Sequence, residues 1–159
     1  MQPSAQSLKL IAFDAEDLAV ISAHLQDAVL RVGDMAYLPA QQRFALVANR
    51  FNWDQAEADA KRWIKRGYER RRTGVHFDRV TNAKLSKIRQ NAPDAVLELL
   101  AIQFEEGDAP AGTVTLVFAG GGAVQLSVEC VDAQMKDFGG AWETRSKPSH
   151  AVDNVPGAR

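Results

Sequence analysis

The chain has 159 residues, 46% hydrophobic and 25% charged, with a net charge of −1. That is the profile of one ordinary globular domain able to bury roughly 70% of its unfolded surface. A single cysteine excludes an intramolecular disulfide and cysteine-rich zinc sites, and the histidines at 24, 76 and 150 do not cluster, so no metal and no cofactor is expected.

After a polar start, "DAEDLAVISAHLQDAVL" reads as an amphipathic helix. Asp14 suits the N-cap, Glu16 and Asp17 suit the first turn, and Leu18, Ile21, Leu25 and Val29 recur on one face. "VGDMAYL" and "RFALVANRFNW" flank "PAQQ" as a hairpin. Residues 54–67 fit either a short helical turn or a polar loop. "YERRRTGVHFDRV" then alternates as a strand, with Gly74 marking a bulge or twist. "NAPD" connects to "AVLELLAIQFE", a strand apolar on both sides, and "EGDAPAG" turns the chain into "TVTLVFAGGGAVQLSVEC". Opposed residues must share a face, so Phe118 is expected opposite Val124 and Leu116 opposite Leu126 across a Gly120–Gly122 loop. Cys130, in phase with Leu126 and Val128, is expected inside and unreactive. The result is an α+β fold: an N-terminal helix packed on a curled antiparallel sheet of five to seven strands, mainly a meander, or on a partly closed barrel. It forms a single domain, residues 1–159, with a core over 8–138 and a C-terminal tail over 139–159 that is partly frayed.

Charge is unevenly spread. Residues 1–42 hold two cations against five acids, residues 43–89 thirteen against five, and the remainder four against ten. The peak is "KRWIKRGYERRR", Lys61 to Arg72. Arg62, Arg66, Arg70 and Arg72 suit phosphate contacts, and Trp63 suits stacking on a base or another flat group. On a strand Arg70 and Arg72 share one side while Arg71 takes the other, so the seven cations cannot form one patch. His76 and Asp78 also share a strand face, where the carboxylate is placed to orient the imidazole. The "AGGG" run lacks the Lys-Ser/Thr of a phosphate loop and precedes a strand, so it reads as a turn. No nucleophile stands beside a base, no carboxylates pair as acid and base, and no catalytic residue is assigned. No stretch reaches the ~18 apolar residues of a membrane span, and no signal peptide is visible, so a cytoplasmic protein without membrane contact is expected.

The segments "GVHFDRV", "NAPDAVLELLAIQFE", "GTVTLVFAGGGAVQLSVEC" and "WETRSKPSHA" resemble a small alphaproteobacterial family of a domain of unknown function. The resemblance spans roughly Leu8 to Ala151. Genes of that family often neighbour one for histidinol dehydrogenase, and the resemblance implies no activity, cofactor or site residue. Three functions remain open: a non-catalytic binding or adaptor domain for a protein or anionic ligand, weak nucleic-acid binding through 61–72, or a small-molecule enzyme using His76 and Asp78.

Overall fold

The computed structural model describes residues 7–53, 57 and 68–144, with the backbone alone for Tyr68 and 139–144. Helix α1 (Ala15–His24) starts where the sequence places it. Asp14 adopts an extended backbone and its Oδ1 accepts from the Asp17 N–H at 2.8 Å, while Glu16 and Asp17 occupy the first turn. Leu18, Ile21 and Leu25 are buried. The helix stops before Asp27, whose φ of 64° leaves the helical region, and Val29 is buried from a strand instead.

Ten strands follow the chain as β1 (Lys9–Ala12), β2 (Ala28–Arg31), β3 (Met35–Leu38), β4 (Arg43–Phe51), β5 (Tyr68–Phe77), β6 (Val80–Ser86), β7 (Val96–Glu106), β8 (Gly112–Phe118), β9 (Ala123–Val128) and β10 (Ala133–Thr144). They form one antiparallel sheet in the order β1-β10-β5-β4-β2-β7-β8-β9-β6, with β3 on β4. A 3-10 turn at Val32–Asp34 bends the chain so that β3 pairs with the first half of β4 and β2 meets its second half at Asn49. Past the Asp78–Arg79 turn the sheet's far end comes back toward β4, where the Val80 N–H donates to the Gln42 carbonyl at 2.9 Å. No ladder joins β6 to β1.

The expected α+β fold of five to seven strands is therefore overturned. Among the described elements, one ten-residue helix beside a ten-stranded sheet is a mostly-β fold, and the sheet curls without closing into a barrel. The omitted strands explain the error. β6 reads "VTNAKLS" and leaves most of its side chains exposed or half-exposed, and β1 is only four residues long, so neither carries the two-residue apolar alternation that identifies a strand. The curled antiparallel sheet itself is present. α1 packs on β1 and β7, which are not neighbours in the sheet, so it bridges the curl. Ser22 Oγ accepts from the Ile102 N–H at 2.9 Å and fixes that contact. Leu18, Ile21 and Leu25 join Phe44, Leu46, Phe77, Leu99, Leu116 and Phe118 in one core.

The β8–β9 hairpin corrects the expected register. Leu116 faces Val124 and Val114 faces Leu126, so the three-residue loop is Ala119–Gly121, one position earlier than expected. Gly120 and Gly121 hold φ of 86° and 94°, the left-handed region where a side chain is costly, whereas Gly122 is extended and its carbonyl accepts from the Phe118 N–H at 2.9 Å. A two-residue shift keeps parity, so Phe118, Val124 and Leu126 remain buried. Cys130 lies beyond the end of β9 and is half-buried rather than sealed inside. The backbone of 139–144 continues β10, with Trp142 opposite Arg70 and Thr144 opposite Tyr68, where fraying was expected.

Candidate functional site

β4, β5 and β10 lie side by side, and alternation gives each an inner and an outer row. The inner row begins with Phe44, Leu46 and Ala48 on β4, Phe77 and Val75 on β5, and Ala133 and Met135 on β10, all buried. In the same phase it turns polar. Next come Arg50, then Thr73, Arg71 and Glu69, and finally Asp137. Arg50 and Asp137 form a two-pronged ion pair, Nε–Oδ1 at 2.8 Å and Nη2–Oδ2 at 2.7 Å, with side chains 1% and 0% exposed. Thr73 Oγ1 donates to Asp137 Oδ1 at 2.6 Å and the Leu8 N–H to Oδ2 at 2.9 Å. Burial by itself would push the Asp137 carboxyl up; the hydrogen bonds from Arg50, Thr73 and Leu8 and the charge of Arg50 outweigh it and hold the group below the ordinary carboxylate range. Arg71 stands directly across from Arg50 and leans on its own carboxylate, Nε to Glu69 Oε1 at 3.2 Å, and Asn52 donates to the same oxygen. Two opposed arginines are thus tolerated because each has an acid. The Asp137 side chain is fully buried, and the cluster ties the residue before β1 to β4, β5 and β10.

The outer row is different. Lys9 of β1 stands directly opposite Lys136 of β10, and Lys136 opposite Gly74 of β5. One step along β10 on the same face is Phe138, 42% exposed. Its ring rests on Gly74, where a Cβ would meet Phe138 Cε2 at 3.0 Å. Arg72 and His76 flank Gly74 on that side of β5. Among the described residues Lys9, Arg72 and Lys136 have no carboxylate within ion-pair distance. The acids of this face gather at its far end, where Asp78 takes Arg43 in a fork, Nε–Oδ1 at 2.7 Å and Nη2–Oδ2 at 3.3 Å. The hydrogen bond from Arg43 to Asp78 raises the arginine's pKa further above its ordinary value. His76 Nδ1 stands 3.4 Å from Asp78 Oδ2 without a formed hydrogen bond.

The structure places Arg70, Arg72 and His76 on one outer side of β5, as their spacing requires, but in different settings. Arg70 is buried over the Phe51 ring, 5.9 Å from its centroid, and donates to the Asn49 carbonyl at 3.2 Å. Arg72 and His76 are half-buried beside Phe138 and Gly74. Arg62, Trp63 and Arg66 lie outside the described residues. Sequence reasoning missed Lys9, Lys136 and Phe138, because β1 has no strand pattern and the apolar phase of Ala133 and Met135 does not show that β10 lies between β1 and β5. It missed Arg50 and Asp137 for a different reason, since isolated charges in alternating segments read as surface residues. Among the described residues no group of three His, Cys, Asp or Glu side chains is arranged to hold a metal, and no helix is long and apolar enough to cross a membrane.

A family model described as "Protein of unknown function (DUF2948)" matches residues 8–150, beginning at the Leu8 amide that Asp137 accepts from and covering every strand above. The chain belongs to the DUF2948 family. No curated protein and no solved structure matches the chain. The description of DUF2948 names no activity.

Proposed function

We propose that this DUF2948 protein is a non-catalytic binding domain that holds a polyanionic ligand on the outer face of β1, β10 and β5. The observation that carries the reading is the directly opposed pair Lys9 and Lys136, both without a carboxylate partner among the described residues and next to the exposed Phe138. Like charges directly across a ladder destabilise it, and an anion between them relieves that repulsion. Lysines on an edge strand also discourage strand addition, but Lys136 sits one strand inward, already paired with Lys9 of β1. Phe138 offers an apolar surface for the non-phosphate part of such a ligand, and Arg72 and His76 extend the donor set. Asp78 supports a binding role over general-base chemistry, because both its oxygens are already engaged by Arg43.

The test is fluorescence anisotropy of a labelled oligothymidylate and of labelled polyphosphate at two salt concentrations. Wild type should bind both at low salt and weaken as salt rises, with a log–log slope of about −0.7 for each phosphate neutralised on a single strand. The Lys9→Ala/Lys136→Ala pair should lower that slope and reduce affinity for both probes. Phe138→Ala should weaken the oligonucleotide more than the polyphosphate, which has no base to stack. Binding that is absent at low salt, or unchanged by the double lysine substitution, contradicts the reading.

A further inference from the structure

A second surface has the opposite sign. Between the start of α1, the distal half of β7 and the segment joining β9 to β10 lies a cleft of about 500 Å³, within the usual range of ligand pockets. Phe13, Phe104, Pro110 and Val131 form its apolar part. Phe13 is 67% exposed, the most exposed large hydrophobic side chain among the described residues. Its backbone is held by local bonding: the Phe13 N–H donates to Asp17 Oδ2 at 3.4 Å, and Asp17's own N–H donates to Asp14 Oδ1. The rim is acidic, with Asp14 and Glu16 on one side and Glu106 on the other, and no lysine, arginine or histidine lines the cleft among the described residues. Asp14 and Glu16 complement the positive end of the helix dipole. Glu106 belongs to β7 and has no such duty, yet it adds to the same rim.

We infer that this cleft docks a basic segment of a partner protein, one with a lysine or arginine beside an apolar side chain. Carboxylates on the rim attract the cation, the faces of Phe13 and Phe104 add cation–π attraction, and Val131 and Pro110 receive the apolar neighbour. The same rim repels the polyanion assigned to the outer face, so the two surfaces cannot compete for one ligand. The inference stands independently of that assignment.

Cys130 lines the cleft and is the chain's only cysteine, which makes it a built-in reporter. The rate of its alkylation by iodoacetamide would be measured in the whole folded protein with three blocked hexapeptides: alternating arginine–leucine, arginine–serine and glutamate–leucine. Arginine–leucine should slow alkylation in a saturable manner, arginine–serine should do so only at higher concentration, and glutamate–leucine should have no effect. Phe13→Ser should weaken arginine–leucine binding about two- to thirtyfold, the span of one cation–π contact. Glu106→Gln should weaken it about two- to fivefold, as for one exposed ion pair, and more at low salt than at high. Both positions are exposed, and an unchanged circular-dichroism melt of each variant confirms that it still folds. Equal protection by arginine–serine reduces the cleft to a diffuse acidic surface and overturns the inference. Protection by glutamate–leucine, absence of protection by either arginine peptide, or protection that grows with protein concentration alone, the mark of a second copy as occupant, overturns it as well.

Discussion

Replacing Asp137 by alanine should be among the most damaging single changes available in this protein. The carboxylate accepts four hydrogen bonds, two from Arg50 and one each from Thr73 and the Leu8 N–H, and its loss leaves the Arg50 guanidinium charged and 1% exposed. Breaking one side of a buried ion pair costs about 3–5 kcal/mol. For a chain of this size that lowers Tm by about 6–20 °C. The pair itself need not be net stabilising, because removing both charges together with residues of similar volume is often neutral or favourable by about 1–4 kcal/mol. Arg50→Met/Asp137→Leu should therefore recover most of the stability that Asp137→Ala loses. Urea denaturation of wild type, Arg50→Met, Asp137→Leu and the pair closes a double-mutant cycle. Acidification adds a second readout. The Asp137 pKa is lower in the folded than in the unfolded protein, so its stabilisation is fully present above the unfolded value near 3.9. As pH falls below that value, the unfolded state takes up the proton first, and the contribution disappears as pH passes through the folded pKa. The difference between wild type and Asp137→Ala should thus be constant from about pH 5 to 8 and shrink below about pH 4. A loss under about 1 kcal/mol at pH 7 for Asp137→Ala, or a double variant as unstable as the single one, would refute the buried lock.

Four further outcomes follow from burial and backbone geometry. Leu126 is fully buried, so Leu126→Ala should cost about 2–5 kcal/mol by chemical denaturation. Gly120 has open space around it but a φ of 86°, so Gly120→Ala should cost about 1–2 kcal/mol through backbone strain alone; Gly122→Ala brings a Cβ to 3.1 Å from Ile88 Cγ1 and should disturb the packing of β9 on the segment after β6, visible as changed Ile88 methyl shifts. Half-buried Cys130 should be alkylated stoichiometrically in the folded protein, more slowly than in urea.

The helix was legible because its signals are local: an Asp14 cap, acids in the first turn, and Leu18, Ile21 and Leu25 on one face. The apolar strands were legible for the same reason. β6 and β1 were not, because a strand with mostly solvated side chains or only four residues has no pattern to detect. The hairpin register slipped because three consecutive glycines hide which of them need positive φ, and only Gly120 and Gly121 do. The buried lock was readable in principle. Extending the inward phase of Phe44, Leu46 and Ala48 reaches Arg50, and extending that of Ala133 and Met135 reaches Asp137. Pairing those two needs the knowledge that β4 and β10 flank β5, which connects residues 87 apart in sequence. The outer face has the same dependence, since Lys9, Lys136 and Phe138 meet His76 and Arg72 only through the sheet order.

Backbone amide shift mapping with unlabelled polyphosphate tests the proposed binding face most directly. At low salt the perturbed amides should cluster at Lys9, Gly74, His76, Lys136 and Phe138, leave Phe13, Glu16 and Glu106 unmoved, and vanish in Lys9→Ala/Lys136→Ala. Perturbations centred elsewhere on the sheet, or none at saturating polyphosphate, contradict the account.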